Sequence, residues 1–238
     1  MQMTHADFNR STALRTSLKR GLARQALAEA GRQGADLPGL FGLAAELRPN
    51  PKGLERMAAR LAVRAGVVRV ALSPCRRRLA FTARALHRVE ARVGGETAFH
   101  EAGLIYLRAR AEMAQGRLGF RIRAVGFCGH ALERLVERSE VPLDRALLPV
   151  VDAEAGAIFR SWDRGAWIVE GGDEFHRAAA PGLWAGGHDG MAADPDWGLA
   201  TRDLPPVPIF SARTFLGPGQ MRPTVYLRWK DDPACRIL

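Results

Sequence analysis

The stretch GFCGHALERLVERS, residues 126 to 139, holds the side chains with the most chemical use in this chain. His130, Arg134 and Arg138 follow one another at four-residue spacing, so on a helix they share one narrow sector, where an imidazole and two guanidiniums could meet a single phosphate. Glu133 and Glu137 stand three residues beyond His130 and Arg134, and a solvated, salt-bridged face would carry the same pattern. Both readings stay open at this point. A second cluster, FSARTFLGPGQMRP, puts Ser211 and Arg213 on one face of a strand with Thr214 opposite; its Pro218, Gly219 and Pro223 could equally do no more than set a turn. Arg76, Arg77 and Arg78, just past Pro74, read as a phosphate-contacting patch or as the solvated start of a helix. Histidines and acids also gather in DEFH, 173 to 176, and in GGHDGMAADPD, 186 to 196. Neither has the HExxH or HxH spacing of a metal site, so no metal or cofactor is expected.

The charge is unevenly placed. Residues 1 to 120 hold 21 basic against 9 acidic residues, net +12, whereas residues 121 to 238 hold 14 against 16, net −2. A basic half of that strength implies a polyanionic partner, most often nucleic acid, and its scarcity of aromatics favours backbone contact over base stacking. Only Lys19, Lys52 and Lys230 are lysines, an arginine bias typical of GC-rich bacterial genomes. No segment has the apolar run of a membrane span or the pattern of a secretory signal, and Cys75, Cys128 and Cys235 are widely spaced, so a cytoplasmic protein with reduced cysteines is expected.

The elements that must position these groups are read from periodicity. Residues 4 to 32 predict one long basic helix, LERMAARLAVRA a second, and VVRVALS a short strand. CRRRLAFTARALHRVEARV and TAFHEAGLIYLRARAEMAQ both read as helices. GFRIRAVGF alternates as a strand, GHALERLVERS is a helix, and PLDRALLPVVDAEAGAIFR is a helix opened by Pro142, with Pro149 kinking or ending it. A long loop from 171 to 206, the strand VPIFSARTFL and the strand TVYLRW complete the chain. The expected class is α+β: a basic, mainly helical region over 1–118, then over 119–238 two short helices and a small antiparallel sheet.

The string HALERLVERS resembles the HAxxRxxxR signature of small bacterial proteins of the DUF4258 type and, more loosely, of toxin ribonucleases of the RelE-like superfamily, in which helices precede an antiparallel sheet. The resemblance covers about residues 119 to 238. It implies metal-independent RNA cleavage by attack of a ribose 2′-OH on its own phosphate, with His130 as acid or base, Arg134 holding the phosphate and Arg213 as the transition-state cation. Thr214 or Tyr226 would position the phosphate, and Arg138, Ser211 and the arginines at 76 to 78 would add binding contacts. RNA and an antitoxin or other protein are the implied partners. Two rival readings accompany it: a non-enzymatic nucleic-acid-binding or phage- and plasmid-associated accessory protein, and a metal-dependent hydrolase built on the 173 to 196 segment.

Overall fold

The computed structural model of the chain describes residues 5–93, 96–115, 117–139, 142, 144–192 and 205–231. The elements in order are helices α1 (His5–Arg32), α2 (Leu37–Ala45) and α3 (Pro51–Ala62), then strands β1 (Val67–Leu72), β2 (Arg78–Val93), β3 (Glu96–Ala114) and β4 (Arg117–Cys128). There follow α4 (Gly129–Arg138), α5 (Leu148–Asp163), β5 (Ile168–Glu170), β6 (Asp173–Arg177), β7 (Leu183–Met191), β8 (Val207–Leu216) and α6 (Pro223–Asp231). The eight strands form one sheet in the order β1-β2-β3-β4-β8-β7-β6-β5, and β1 to β3 and β5 to β7 pair with antiparallel neighbours. Among the described residues no helix is long and apolar enough to cross a membrane.

The chain divides into two compact units, each assembled from separated stretches: residues 1–28, 127–187 and 212–238 form one, and residues 29–126 with 188–211 form the other. In the second of these, Asp36 accepts the Gly39 N–H at 3.1 Å and Asn50 accepts the Gly53 N–H at 2.7 Å, so α2 and α3 are each capped by an Asx side chain ahead of a first-turn proline. Both helices lie on the sheet face made by Leu79, Phe81, Ala83 and Ala85 of β2 with Ile105, Leu107, Ala109 and Ala111 of β3. Leu54 and Leu61 of α3 complete that core, both essentially inaccessible to solvent. In the other unit, Phe127, Trp184 and Phe215 meet edge to face at centroid distances of 4.9 and 5.2 Å, beside the buried stripe of α4, Ala131, Leu132, Leu135 and Val136.

Five expectations require correction. The sheet has eight strands and is not small, and the region 1–118 is not mainly helical, because both segments read as helices after Pro74 are strands, joined in a hairpin with registers running from Arg78↔Glu112 to Val93↔Glu96. The sequence YLRARAEM alternates strictly, and alanine and arginine there satisfy a period of two as well as they satisfy helix propensity; packing against α2 and α3 decides the matter. The stretch 171–206 holds β6 and β7, and the remainder of it from 193 to 204 lies outside the described residues. TVYLRW is helical, with Pro223 opening α6, so Tyr226 stands on a helix instead of a strand. Pro149 does not break α5 but lies in its first turn, where a missing N–H costs nothing.

One backbone junction ties the second unit together. The Arg84 N–H donates to the Gly66 carbonyl and the Ala35 N–H donates to the Arg84 carbonyl, both at 2.8 Å, with Gly66 at φ +72°. A Cβ on Gly66 would run into the backbone of Ala35 and Gly34. Gly66→Ala is therefore expected to destabilise the protein by at least about 2 kcal/mol, the scale of one strained left-handed residue, read as a lower urea midpoint with unchanged slope. A midpoint equal to that of the wild type would contradict the junction.

Candidate nucleic-acid interface

The sheet face opposite α2 and α3 is built by the partner positions of the same register. Arg78 faces Glu112, Ala80 faces Arg110, Thr82 faces Arg108 and Arg84 faces Tyr106, while Arg69 and Ala71 of β1 stand opposite Thr82 and Ala80. Directly paired residues of antiparallel strands share a face, so Arg69, Arg78, Arg84, Arg108 and Arg110 all project on one side of β1 to β3. Arg84, Thr82 and Tyr106 are buried at one end, whereas Arg69, Arg78 and Arg110 are exposed at the other. A depression of about 390 Å³ opens there, lined by Ser73, Arg78, Arg108, Arg110 and Glu112 among others.

The β1–β2 turn that borders the depression is held by Ser73, whose hydroxyl oxygen accepts the backbone N–H groups of Arg77 and Arg78 at 3.3 and 3.0 Å. The arginines at 76 to 78 therefore belong to a turn and the first residue of a strand, and not to a helix start. Arg78 pairs with Glu112 at 2.8 Å and Arg76 with Glu55 at 3.1 Å, while the exposed Arg77 has no ion-pair partner among the described residues. The Ser73 hydroxyl, the Arg77 backbone and the charge of Arg78 together hold the Cys75 thiol below its ordinary pKa, as an anion-favouring turn should.

At α4 the structure brings His130 and Arg134 together and separates them from the rest of the stripe. The helix is capped by Cys128, whose sulfur accepts the Ala131 N–H at 3.4 Å. Arg134 Nε donates to His130 Nε2 at 3.2 Å, and a second guanidinium nitrogen of Arg134 pairs with Glu137. Glu133 lies 3.9 Å from Arg20 of α1. Arg138 turns away to β8, donating to the Phe215 carbonyl at 2.9 Å and to Thr214 Oγ1 at 3.3 Å. Ser211 and Arg213 are exposed on β8, with Arg213 over Gly187, and among the described residues no hydrogen bond or ion pair joins Arg213 to His130 or Arg134. Tyr226 packs on Trp229 of its own helix.

No family model, curated protein or solved structure matches this chain. Its chemistry is therefore what its own side chains can do.

A buried polar set escaped the sequence reading. Glu154, 1% exposed on α5, accepts the N–H groups of Ala179 and Ala180 at 2.8 Å and the Trp184 indole N–H at 2.9 Å. Ser161 donates to the Ala166 carbonyl, and the fully buried His176 stands with Nδ1 3.0 Å from Ser161 Oγ, near the rings of Trp162 and Trp167. With its hydroxyl proton committed to Ala166, Ser161 accepts from His176, and the pair fastens α5 to β6 instead of forming an open nucleophile. His176 belongs to the DEFH run weighed as a metal site; no group of three metal-ligating side chains exists among the described residues, and Asp194 and Asp196 lie outside them. The available signal was Glu154 itself, an acid set into the apolar stripe Val151, Ala155, Ile158.

Burial pushes the Glu154 carboxyl above its ordinary value of 4.5, against the pull of Trp184 and of the two backbone N–H groups. The folded chain then keeps a proton that the unfolded chain releases, so this group lowers stability as pH rises from 4.5 through the raised folded value. Glu154→Gln is expected to remove that slope and to cost about 1–3 kcal/mol at neutral pH, because one N–H donor then faces an amide NH₂. Urea unfolding of both proteins across this pH range measures the effect; parallel curves would contradict it.

Proposed function

We propose that this protein binds nucleic acid through its phosphates, on the arginine face of β1 to β3. The observation that supports this reading most is the register that gathers Arg69, Arg78, Arg108 and Arg110 on one side of a three-stranded surface, open at the end bordered by the Ser73–Arg78 turn. Guanidiniums present paired N–H donors that match phosphate oxygens. The one aromatic facing this side from β3 within the paired region, Tyr106, is buried, so the face offers charge without a stacking platform. Contacts of that kind give affinity with little sequence preference. RNA is the favoured substrate class by the likeness of the α4 motif to RNA-cleaving toxins, and DNA of equal length is the comparison that tests it.

Four phosphate contacts imply that log K falls with log salt at a slope of about −3 for a single strand. The double variant Arg69→Glu/Arg110→Glu should weaken binding at least about tenfold at low salt and flatten that slope, while Arg164→Glu, an exposed arginine of the other unit, should leave both unchanged. Fluorescence anisotropy with a labelled 20-nucleotide RNA measures this. Equal loss in both variants would reduce the face to general charge.

A second reading, RNA cleavage, is favoured by the contact between Arg134 and His130, which sets an imidazole and a guanidinium side by side on the outer face of α4. His130→Ala would then lower RNA-cleavage rate by about 10² or more without loss of stability, and Glu133→Ala would not. Equal, small effects at His130, Arg134, Glu133 and Glu137 would leave α4 as a salt-bridged surface.

A further inference from the structure

The arginine face does not end at β3. β4 lies beside β3 in the sheet, and its Leu118, Ile122 and Ala124 belong to the core beneath α2 and α3. Alternation then turns Arg117, Gly119, Arg121 and Arg123 to the opposite side, the side that carries Arg69, Arg78, Arg108 and Arg110. Arg117 and Arg121 are exposed, and neither makes an ion pair among the described residues. Phe120, the half-exposed aromatic of β4, alternates with them and lies on the core side.

Four adjacent strands make a patch about 14 Å wide, three steps of about 4.8 Å, and residues two apart along each strand are about 7 Å from one another. The two phosphate rows that flank a groove of a duplex are about 6–12 Å apart, so both rows can meet such a patch, whereas a single strand offers one row. Ala71 stands opposite Ala80 and both line the depression of about 390 Å³, so the guanidiniums around it rise above a low floor that accepts a convex backbone. Proteins that hold single strands add aromatic platforms for the unpaired bases, and this face exposes none among the described residues. A duplex keeps its bases stacked on one another and turns its phosphates outward.

We infer that the face of β1 to β4 is built for double-stranded nucleic acid, with the phosphate rows on both sides of one groove held by arginines of β1 to β3 and of β4. This rests on the phosphate-binding reading and adds to it the form of the ligand.

Fluorescence anisotropy of the full chain with a labelled 20-base-pair RNA duplex, and with the same labelled strand alone, tests it. The duplex should bind at least about tenfold more tightly at equal salt. Its log K should fall with log salt at a slope of about −5, from about six phosphate contacts, four on β1 to β3 and two at Arg117 and Arg121. Arg117→Glu/Arg121→Glu should weaken the duplex at least about tenfold and make that slope shallower by about 2. Should the double variant not fold, Arg121→Glu alone should weaken the duplex about threefold. Equal or tighter binding of the single strand, or a loss of equal size for both ligands in the variant, would overturn the inference and leave phosphate binding at Arg69 and Arg110 standing by itself. Failure of both ligands to bind the unaltered protein would instead remove the phosphate-binding reading and this inference with it.

Discussion

The register of the β2–β3 hairpin is the constraint on which most of this molecule depends. With Thr82 opposite Arg108 and Phe81 opposite Ala109, the residues Leu79, Phe81, Ala83 and Ala85 of β2 and Ile105, Leu107, Ala109 and Ala111 of β3 face α2 and α3, and Arg78, Arg84, Arg108 and Arg110 face the other way. A slip of one residue on either strand would drive guanidiniums into the core and Leu79 and Phe81 into water. The cross-strand pair of Arg78 and Glu112 opposes such a slip at the end of the hairpin nearest the β1–β2 turn. Near the other side of β1, the bonds from Ala35 through Arg84 to Gly66 hold β2 against the chain that leaves α1 and the residue that enters β1. Charge patterning and core formation are thus one event in this unit.

The parts of the fold that were legible in the sequence are those where a local signal has a single interpretation. The apolar stripe Ala131, Leu132, Leu135, Val136 fixes α4, and GFRIRAVGF shows β4 by alternation. Leu-rich periodicity shows α3 in the same way. The hairpin was illegible because alanine and arginine favour helices intrinsically while their alternation favours strands, and only the helices packed on one face make the second preference win. Residues 223 to 228 failed in the opposite sense: Thr, Val and Tyr suggest a strand, but Pro223 sets the first turn of a helix that buries Val225. Of the candidate site, the spacing of His130, Arg134 and Arg138 was visible, but not which partners each would take. Arg138 goes to a carbonyl of β8, a long-range contact that spacing along one helix cannot encode.

The two units use polar groups in different ways. In one, Glu154, Ser161 and His176 are committed to fixed donors and acceptors inside the core, and the exposed side of α4 is neutralised by pairs between Arg134 and Glu137 and between Arg20 and Glu133. In the other, Arg69, Arg78, Arg84, Arg108 and Arg110 are gathered on one sheet face, with Glu112 its acidic member on β3 within the paired region and Glu55 reaching the turn from α3. Buried networks of the first kind confer uniqueness of packing, and surfaces of the second kind set up a field that reaches outward.

The ends of the sheet have their own consequence. β1, six residues long, is interrupted by an irregularity between Val67 and Arg69, carries that arginine at its middle and is followed closely by Pro74. β5 is three residues long and runs into Gly171 and Gly172, both at positive φ. An open eight-stranded sheet would otherwise present two long rows of unsatisfied N–H and C=O groups, each a template on which a neighbouring chain could lay a strand. By giving the outermost places to short, kinked or charged strands, this chain shortens the row of backbone groups that a neighbouring strand could extend.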